Sequence, residues 1–321
     1  MPYPRTAGLV ALSAFAAIAF VCGCGTQNSE DGSPLPAMFS GSSNGGSDAA
    51  GDDLPSNPTL LEQLMLERIN RARLRPGAEA ADNGIAIDEG VLGQLDADPR
   101  QAVALNPSLS GAAANHALDM LANDFFAHEN LRGETPFDRM SDMGYRFSTA
   151  GENLAWRGTT GPVNEVEMVE TMHLDLFVDT TVPGRGHRLV MLNPAFREVG
   201  VSIRRGAFSN EDATFDSLMA VQDYATANRP RTFFVLGVVY DDRNRNGQYD
   251  IGEGRANRQV ALDDFTSLTT TGGGFTFEVV PGTYTIFFEG AEHDLDVVDK
   301  NVKVDFVNGA RIDVNLGLGQ F

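Results

Sequence analysis

The chain has 321 residues, 42% of them apolar, with 24 Lys and Arg against 44 Asp and Glu and a formal charge of −20. Its length admits two domains with sizeable cores and excludes a wholly disordered or fibrous chain, and the acidic excess repels phosphate backbones, which excludes nucleic acid as a partner. The only cysteines, Cys22 and Cys24, lie near the N-terminus, so neither a disulfide framework nor a cysteine-based zinc finger can staple the remainder.

Arg5 precedes the apolar run Ala7–Phe20, which ends in Val21-Cys22-Gly23-Cys24. The run is short for a bilayer span, which needs ~20 residues, and has the charged-then-apolar layout of an export signal. Gly23 before Cys24 resembles the lipobox of bacterial lipoproteins, which implies acylation of Cys24 and a lipoprotein signal over residues 1–24. An ordinary secretory signal that contains cysteines is the alternative. Residues 25–57, rich in Ser, Gly, Asn, Asp and Pro, cannot bury a core and read as a disordered tether.

Folded sequence begins near Pro58. Leu60, Leu61, Leu64, Met65 and Ile69 recur at helical spacing up to Pro76-Gly77, with Glu67 and Arg71 expected as an exposed i,i+4 pair. Ala78–Leu105 lacks a period and reads as a long connection with at most short turns. A second helix is expected over Ser108–Asp124, capped by Ser108 or Ser110. A third follows Thr135-Pro136, and a fourth runs from about Val163 to Phe177. VGVSIR and SLMAVQDYA alternate with period two and read as strands, joined by a loop over 206–216.

The polar candidates fall in four segments, NHALDMLANDFFAHEN, TAGENLAW, ETMHLDLF and PGRGHRLVMLNPAFREVGVSI. In that order and spacing they resemble the CAP superfamily, also called the SCP domain, across about Pro58 to Tyr224. The resemblance implies an α+β fold, a three-layer α-β-α sandwich, and a groove where two histidines and one or two glutamates converge. Matched residue by residue, His128, Glu152 and His187 take those places, and Glu170 or His173 fills the second acidic corner. Arg188 stands where the family often has an aromatic residue, and the disulfides of eukaryotic members are absent.

Two neutral imidazoles and a carboxylate suit zinc with an open position, or a metal-free ligand groove. They equally suit a buried hydrogen-bonded cluster that pins two loops against the sheet. His116, beside Asn115, reads as a solvated surface residue. Arg185, Arg188 and Arg197 suit either anionic ligands or structural carboxylate partners. No G-x-S-x-G elbow, H-E-x-x-H pair or cysteine nucleophile is present.

After Ala227-Asn228-Arg229-Pro230 the sequence is a series of short strand-like runs (FFVLGVVY, RQVAL, GGFTFEVV, GTYTIFFEG, LDVVDKNVKVDFV, RIDVNL), which argues for a small β-sandwich over 231–321. Between the first two runs, Asp242, Asn244, Asn246, Gly247, Asp250 and Glu253 fit the spacing D-x-[DN]-x-[DN]-G-x5-E, with the Gln248 carbonyl able to reach inward. Flanked by strands rather than helices, this loop resembles the calcium-binding B-type repeats of bacterial surface adhesins. An Asp/Asn/Gly-rich hairpin turn is the metal-free alternative.

The sequence thus leads to an exported chain with a lipoprotein signal and a CAP domain over 58–229, whose groove is expected to engage an extracellular lipid, glycan or peptide. A calcium-stabilised spacer or adhesion module follows, and zinc-dependent hydrolysis through the groove is the alternative activity.

Overall fold

The computed structural model describes residues 57–211 and 213–309, and the backbone of 311–315. The expected signal segment, Cys24 and the tether up to residue 56 lie outside the described residues. The N-terminal region contains α1 (Leu60–Leu74), α2 (Pro76–Asp82), β1 (Ala104–Leu105), α3 (Pro107–Ala122), α4 (Pro136–Asp142), β2 (Phe147–Thr159), α5 (Glu165–Val178), α6 (Gly186–Met191), β3 (Glu198–Ser209) and β4 (Thr214–Ala227). The sheet has the order β1-β3-β4-β2, with β1 parallel to β3 and the remaining pairs antiparallel.

Alternation along the central strand β4 explains the layers. Met219, Val221 and Ala225 pack on one face against Ala113, Ala117 and Met120 of α3 and Met140 of α4. Leu218, Ala220 and Tyr224 pack on the other face against Leu64, Met65 and Ile69 of α1 and Val169, Met172 and Phe177 of α5. Both faces are covered, so the strand is buried at every position from Ser217 to Ala225, and the result is an α-β-α sandwich. Gly200 lets α3 lie directly on β3: a Cβ there would sit 2.1 Å from the Leu109 carbonyl carbon and 2.3 Å from the Ser110 nitrogen.

Helix starts follow their local chemistry. Thr59 and Thr135 form capping boxes with Glu62 and Asp138 at the heads of α1 and α4. The cap of α3 is Asn106, whose side chain takes the N–H groups of Ser108 and Leu109; Ser108 and Ser110, expected as caps, lie inside the helix because Pro107 occupies its first position. For the same reason Pro76 does not only stop α1 but opens α2, so the stretch expected to be connection carries α2 and β1. Strands β3 and β4 extend into the expected 206–216 loop, narrowing it to a hairpin end.

The C-terminal region comprises β5 (Phe233–Tyr240), β6 (Gln259–Leu262), β7 (Phe265–Leu268), β8 (Gly274–Val279), β9 (Gly282–Phe288), β10 (Ala291–Val297), β11 (Val302–Val307) and β12 (Arg311–Asn315). They form two sheets, β10-β9-β6-β7 and β12-β11-β5-β8, around a core that includes Val235, Leu262, Ile286, Val304 and Phe306. The run LDVVDKNVKVDFV divides into β10 and β11, and β7 was not expected.

The outer face of the second sheet is covered at β5 and β11. Phe234 and Leu236 of β5 pack on Leu74, Ala102 and Ala104, while Val238 and Tyr240 join the core around α1. Lys303 and Asp305, which alternate with the inward Val302, Val304 and Phe306 of β11, are buried under α1: Lys303 Nζ lies 2.9 Å from Glu67 Oε2 and 2.6 Å from Asp305 Oδ2. Glu67 and Arg71 are therefore not an exposed pair. Glu67 is buried and also accepts from Gln63, and Arg71 bonds Glu79 and the Gln248 side chain.

Candidate functional site

Glu152 and Asn153 are consecutive on β2, an edge strand of the sheet, and so point to opposite faces. On the α3 side, His128 Nδ1 meets Glu152 Oε1 at 2.7 Å, and the Arg139 guanidinium from α4 donates to Glu152 Oε2 at 2.7 Å. Arg139 also donates to the His128 and Glu134 carbonyls, so the loop carrying His128 is tied to α4. On the α5–α6 side, Asn153 Nδ2 donates to the His187 carbonyl at 3.1 Å, and His187 Nδ1 meets Asp179 Oδ1 at 2.9 Å. The two histidine segments approach the edge strand from different layers of the sandwich.

Both imidazoles are held in the same way. Each ring places Nδ1 on a carboxylate that is 1% exposed, keeps a slightly exposed rim of 12–13%, and leaves Nε2 without a hydrogen-bond partner among the described residues. Asp179 does a second job from a left-handed backbone at the end of α5: its Oδ2 accepts the His187 N–H at the head of α6, an anchored start for a helix that lacks a capping side chain of its own. Burial alone would raise the Glu152 carboxyl, but the bond from His128 and the charge of Arg139 outweigh it and hold it below its ordinary range.

Behind Glu152 stands Asp223, its direct partner in the β2–β4 register, with no exposure and neither oxygen hydrogen-bonded. Burial first, and then the charge of Glu152, push its carboxyl well up. His116 is a correction to the solvated residue expected from sequence. It is 1% exposed, its Nε2 bonds the Ala127 carbonyl at 2.8 Å, and its ring meets the edge of Phe125, because the chain after α3 folds back over it. Burial pushes the His116 imidazole down.

Neither candidate for the second acidic corner contacts His187. Glu170 is bound bidentately by Arg68. His173 is fully buried, bonds Glu79 Oε1 at 3.2 Å and stacks on Phe177, with its pKa lowered by burial. Asp179 holds the position beside His187. Periodicity gave no sign of it, although an Asp at the end of α5, eight residues before His187, is the signal that would have found it. Arg139 and Asp223 were missed likewise, the first as an ordinary helix residue and the second inside an apolar strand.

The arginines around His187 are structural. Arg188 is buried and donates to the Phe177, Val178, Ile87 and Glu89 carbonyls, Arg185 pairs with Glu89, and Arg197 donates to the Thr232 carbonyl and lies over Phe233. A cavity of about 780 Å³ lies elsewhere, between Arg100, Gln101, Leu192 and Lys300, and none of the histidines lines it.

In the C-terminal loop, Asp242 accepts the N–H groups of Asn246 and Gly247, and Glu253 accepts those of Arg243 and Asp250. The side-chain amides of Asn244 and Asn246 both donate to Asp250 Oδ2, at 2.7 and 2.6 Å. Among the described residues no group of three or more His, Cys, Asp or Glu side chains converges as a metal cluster. The donor set still has the chemistry of a hard-cation loop. Carboxylate, amide and carbonyl oxygens alternate around Gly247 at φ 75°, and Glu253, only 5% exposed, has no cationic partner among the described ion pairs.

The α-β-α sandwich is the fold that the resemblance to the CAP superfamily implies. Residues 66–224 match the model of the cysteine-rich secretory protein family, CAP, so this part of the chain is a CAP domain. The chain is 29% identical over 147 residues to the uncharacterized protein YkwD of Bacillus subtilis (strain 168), covering 46% of this chain and 44% of that one. It is 28% identical over 93 residues to the uncharacterized membrane protein YlbC of the same organism, covering 29% of this chain and 23% of that one. The chain therefore spans less than half the length of either relative. Among solved structures it is similar to an extracellular protein containing a SCP domain from Bacillus anthracis str. Ames, at 18% identity and a TM-score of 0.31, covering 51% of this chain and 41% of that one.

Proposed function

We propose that this is an exported, envelope-anchored binding protein whose CAP edge strand presents His128 and His187 to an extracellular lipid, glycan or peptide. The observation that carries this reading is the use of Glu152. Its two oxygens each hold a donor already, from His128 and Arg139, and its side chain is only 1% exposed, so it is poorly placed to activate water, while two Nε2 atoms are left to meet a ligand. Export and anchoring rest on the Arg5, Ala7–Phe20 and Gly23-Cys24 pattern. No helix among the described residues is long and apolar enough to cross a membrane.

A second reading, zinc-dependent hydrolysis, is favoured by the carboxylate behind each Nδ1, the usual backing of a metal-ligating imidazole. His128 and His187 would hold zinc through Nε2, and the metal would supply Lewis-acid chemistry. The test is a screen of lipid vesicles, a glycan array and peptides against the chain and its His128→Ala/His187→Ala variant. Binding lost in the variant, with the melting temperature kept, supports the groove. A ligand held equally by both overturns it, and hydrolysis that a chelator abolishes selects the second reading.

We assign calcium to the loop Asp242–Glu253, with Asp242, Asn244, Asn246, Asp250, Glu253 and the Gln248 carbonyl as ligands. Support comes from the spacing, from the hard-oxygen donor set and from the buried Glu253 without a counter-charge. Millimolar calcium is expected to raise the melting temperature of the chain, Glu253→Ala is expected to abolish the rise, and magnesium is expected to substitute poorly. Equal melting temperatures in calcium and in chelator leave only a hairpin turn.

A further inference from the structure

Arg68 sits on α1, in the CAP domain, and is 4% exposed. Its guanidinium joins three parts of the fold. Nε and Nη2 bind the Glu170 carboxylate of α5 at 2.6–3.0 Å, Nη1 donates to the Tyr249 carbonyl at 2.8 Å, and Nη2 also donates to Asp250 Oδ1 at 2.9 Å. The two oxygens of Asp250 are thereby divided. Oδ1 faces Arg68, and Oδ2 faces the loop interior, where the Asn244 and Asn246 amides reach it. The Gln248 side chain is held in the same way by Arg71, one helical turn further along α1, which leaves the Gln248 backbone carbonyl to the loop.

We propose that Arg68 is a positioning residue for the cation loop, so that the calcium site is completed by the CAP domain rather than contained in the C-terminal region. The inference rests on the calcium reading above. A fixed guanidinium beside a metal ligand has two opposed effects: it orients the carboxylate, which favours binding, and it repels the cation, which disfavours it. Glu170 decides between them. Its bidentate carboxylate neutralises Arg68, so orientation remains and repulsion is cancelled. Outer partners of this kind typically change metal affinity by 10–100-fold. The coupling is reciprocal: a cation that fixes Asp250 also fixes α1 and α5 through Arg68.

The test is calorimetric titration of the full folded chain with calcium chloride, comparing wild type, Arg68→Met and Glu170→Gln. Arg68→Met is expected to weaken calcium at least about tenfold by freeing Asp250. Glu170→Gln keeps Arg68 but uncovers its charge, and is expected to weaken calcium as well. Hydrogen exchange supplies a readout that simple destabilisation would not move: calcium slows exchange of the α1 and α5 amides in wild type but not in Arg68→Met. If Arg68→Met does not fold, Glu170→Gln decides alone. Calcium bound by wild type and equally or more tightly by the variants overturns the positioning role while keeping the calcium site. No calcium bound by wild type overturns the calcium reading, and this inference with it.

Discussion

At the scale of single residues, buried charge sets the largest expected effects. Glu152 is the partner of a buried arginine, and replacing it by Gln leaves the Arg139 guanidinium in the interior without its counter-charge. A loss of roughly 3–5 kcal/mol is expected in urea unfolding, whereas His128→Ala, which removes a partly exposed ring, is expected to cost far less. Histidine protonation adds a pH dependence. Burial holds His116 and His173 below their ordinary 6.5, so as pH falls through about 6.5 the unfolded chain takes up protons that the native chain refuses, and stability falls. The slope approaches about 1.4 kcal/mol per pH unit for each neutral native imidazole. His173→Gln, which keeps a donor toward Glu79, is expected to flatten the decline in urea midpoints between pH 7.5 and 5.5. Glu79 itself is silent in that window. Burial would raise it, but hydrogen bonds from His173 and Arg71 hold it at about 2, so its contribution is lost only as pH falls from about 4.5 toward 2.

At the scale of elements, helix heads and close approaches carry the architecture. Thr135→Ala removes one half of the α4 capping box and is expected to cost about 1 kcal/mol; because α4 carries Arg139, the cost falls next to the His128 loop. Gly200→Ala is expected to do more. Its Cβ would meet the backbone of α3 rather than a movable side chain, so the helix must lift from the sheet, at roughly 3 kcal/mol or more. Thermal denaturation followed by far-UV circular dichroism separates the two: a few degrees for the cap, and loss of a folded baseline near ambient temperature for the glycine.

At the scale of the whole molecule, the C-terminal sandwich is docked on the CAP domain through a shared apolar core and the buried Glu67–Lys303–Asp305 cluster. A tethered spacer would melt independently. This arrangement is expected to give one cooperative calorimetric transition, and removal of residues 231–321 is expected to lower the melting temperature of the remaining chain by exposing Leu74, Ala102 and the α1 face. Two well-separated transitions would show that the docking contributes little. Anchoring is checked apart from folding: Cys24→Ser is expected to release the chain from membranes, and Cys22→Ser is expected to leave it attached.

Much of this was fixed by local order in the chain. Capping threonines, prolines at helix starts and period-two runs are short-range patterns that mark helices and strands, while the α-β-α class came from the resemblance carried by the four CAP segments. The same resemblance brought His128, Glu152 and His187 forward as candidates. What only the tertiary structure decided is which polar groups face each other across distant elements. Asp179 beside His187, Arg139 and Asp223 around Glu152, and Arg68 between Glu170 and Asp250 join residues up to 182 positions apart. Lys303 and Asp305 show the physical reason most directly. Their alternation along β11 is that of a solvent-facing edge, and a charged residue carries the same pattern whether water or a buried counter-ion receives it. Periodicity tells which face a side chain leaves by, and only packing determines what it meets there.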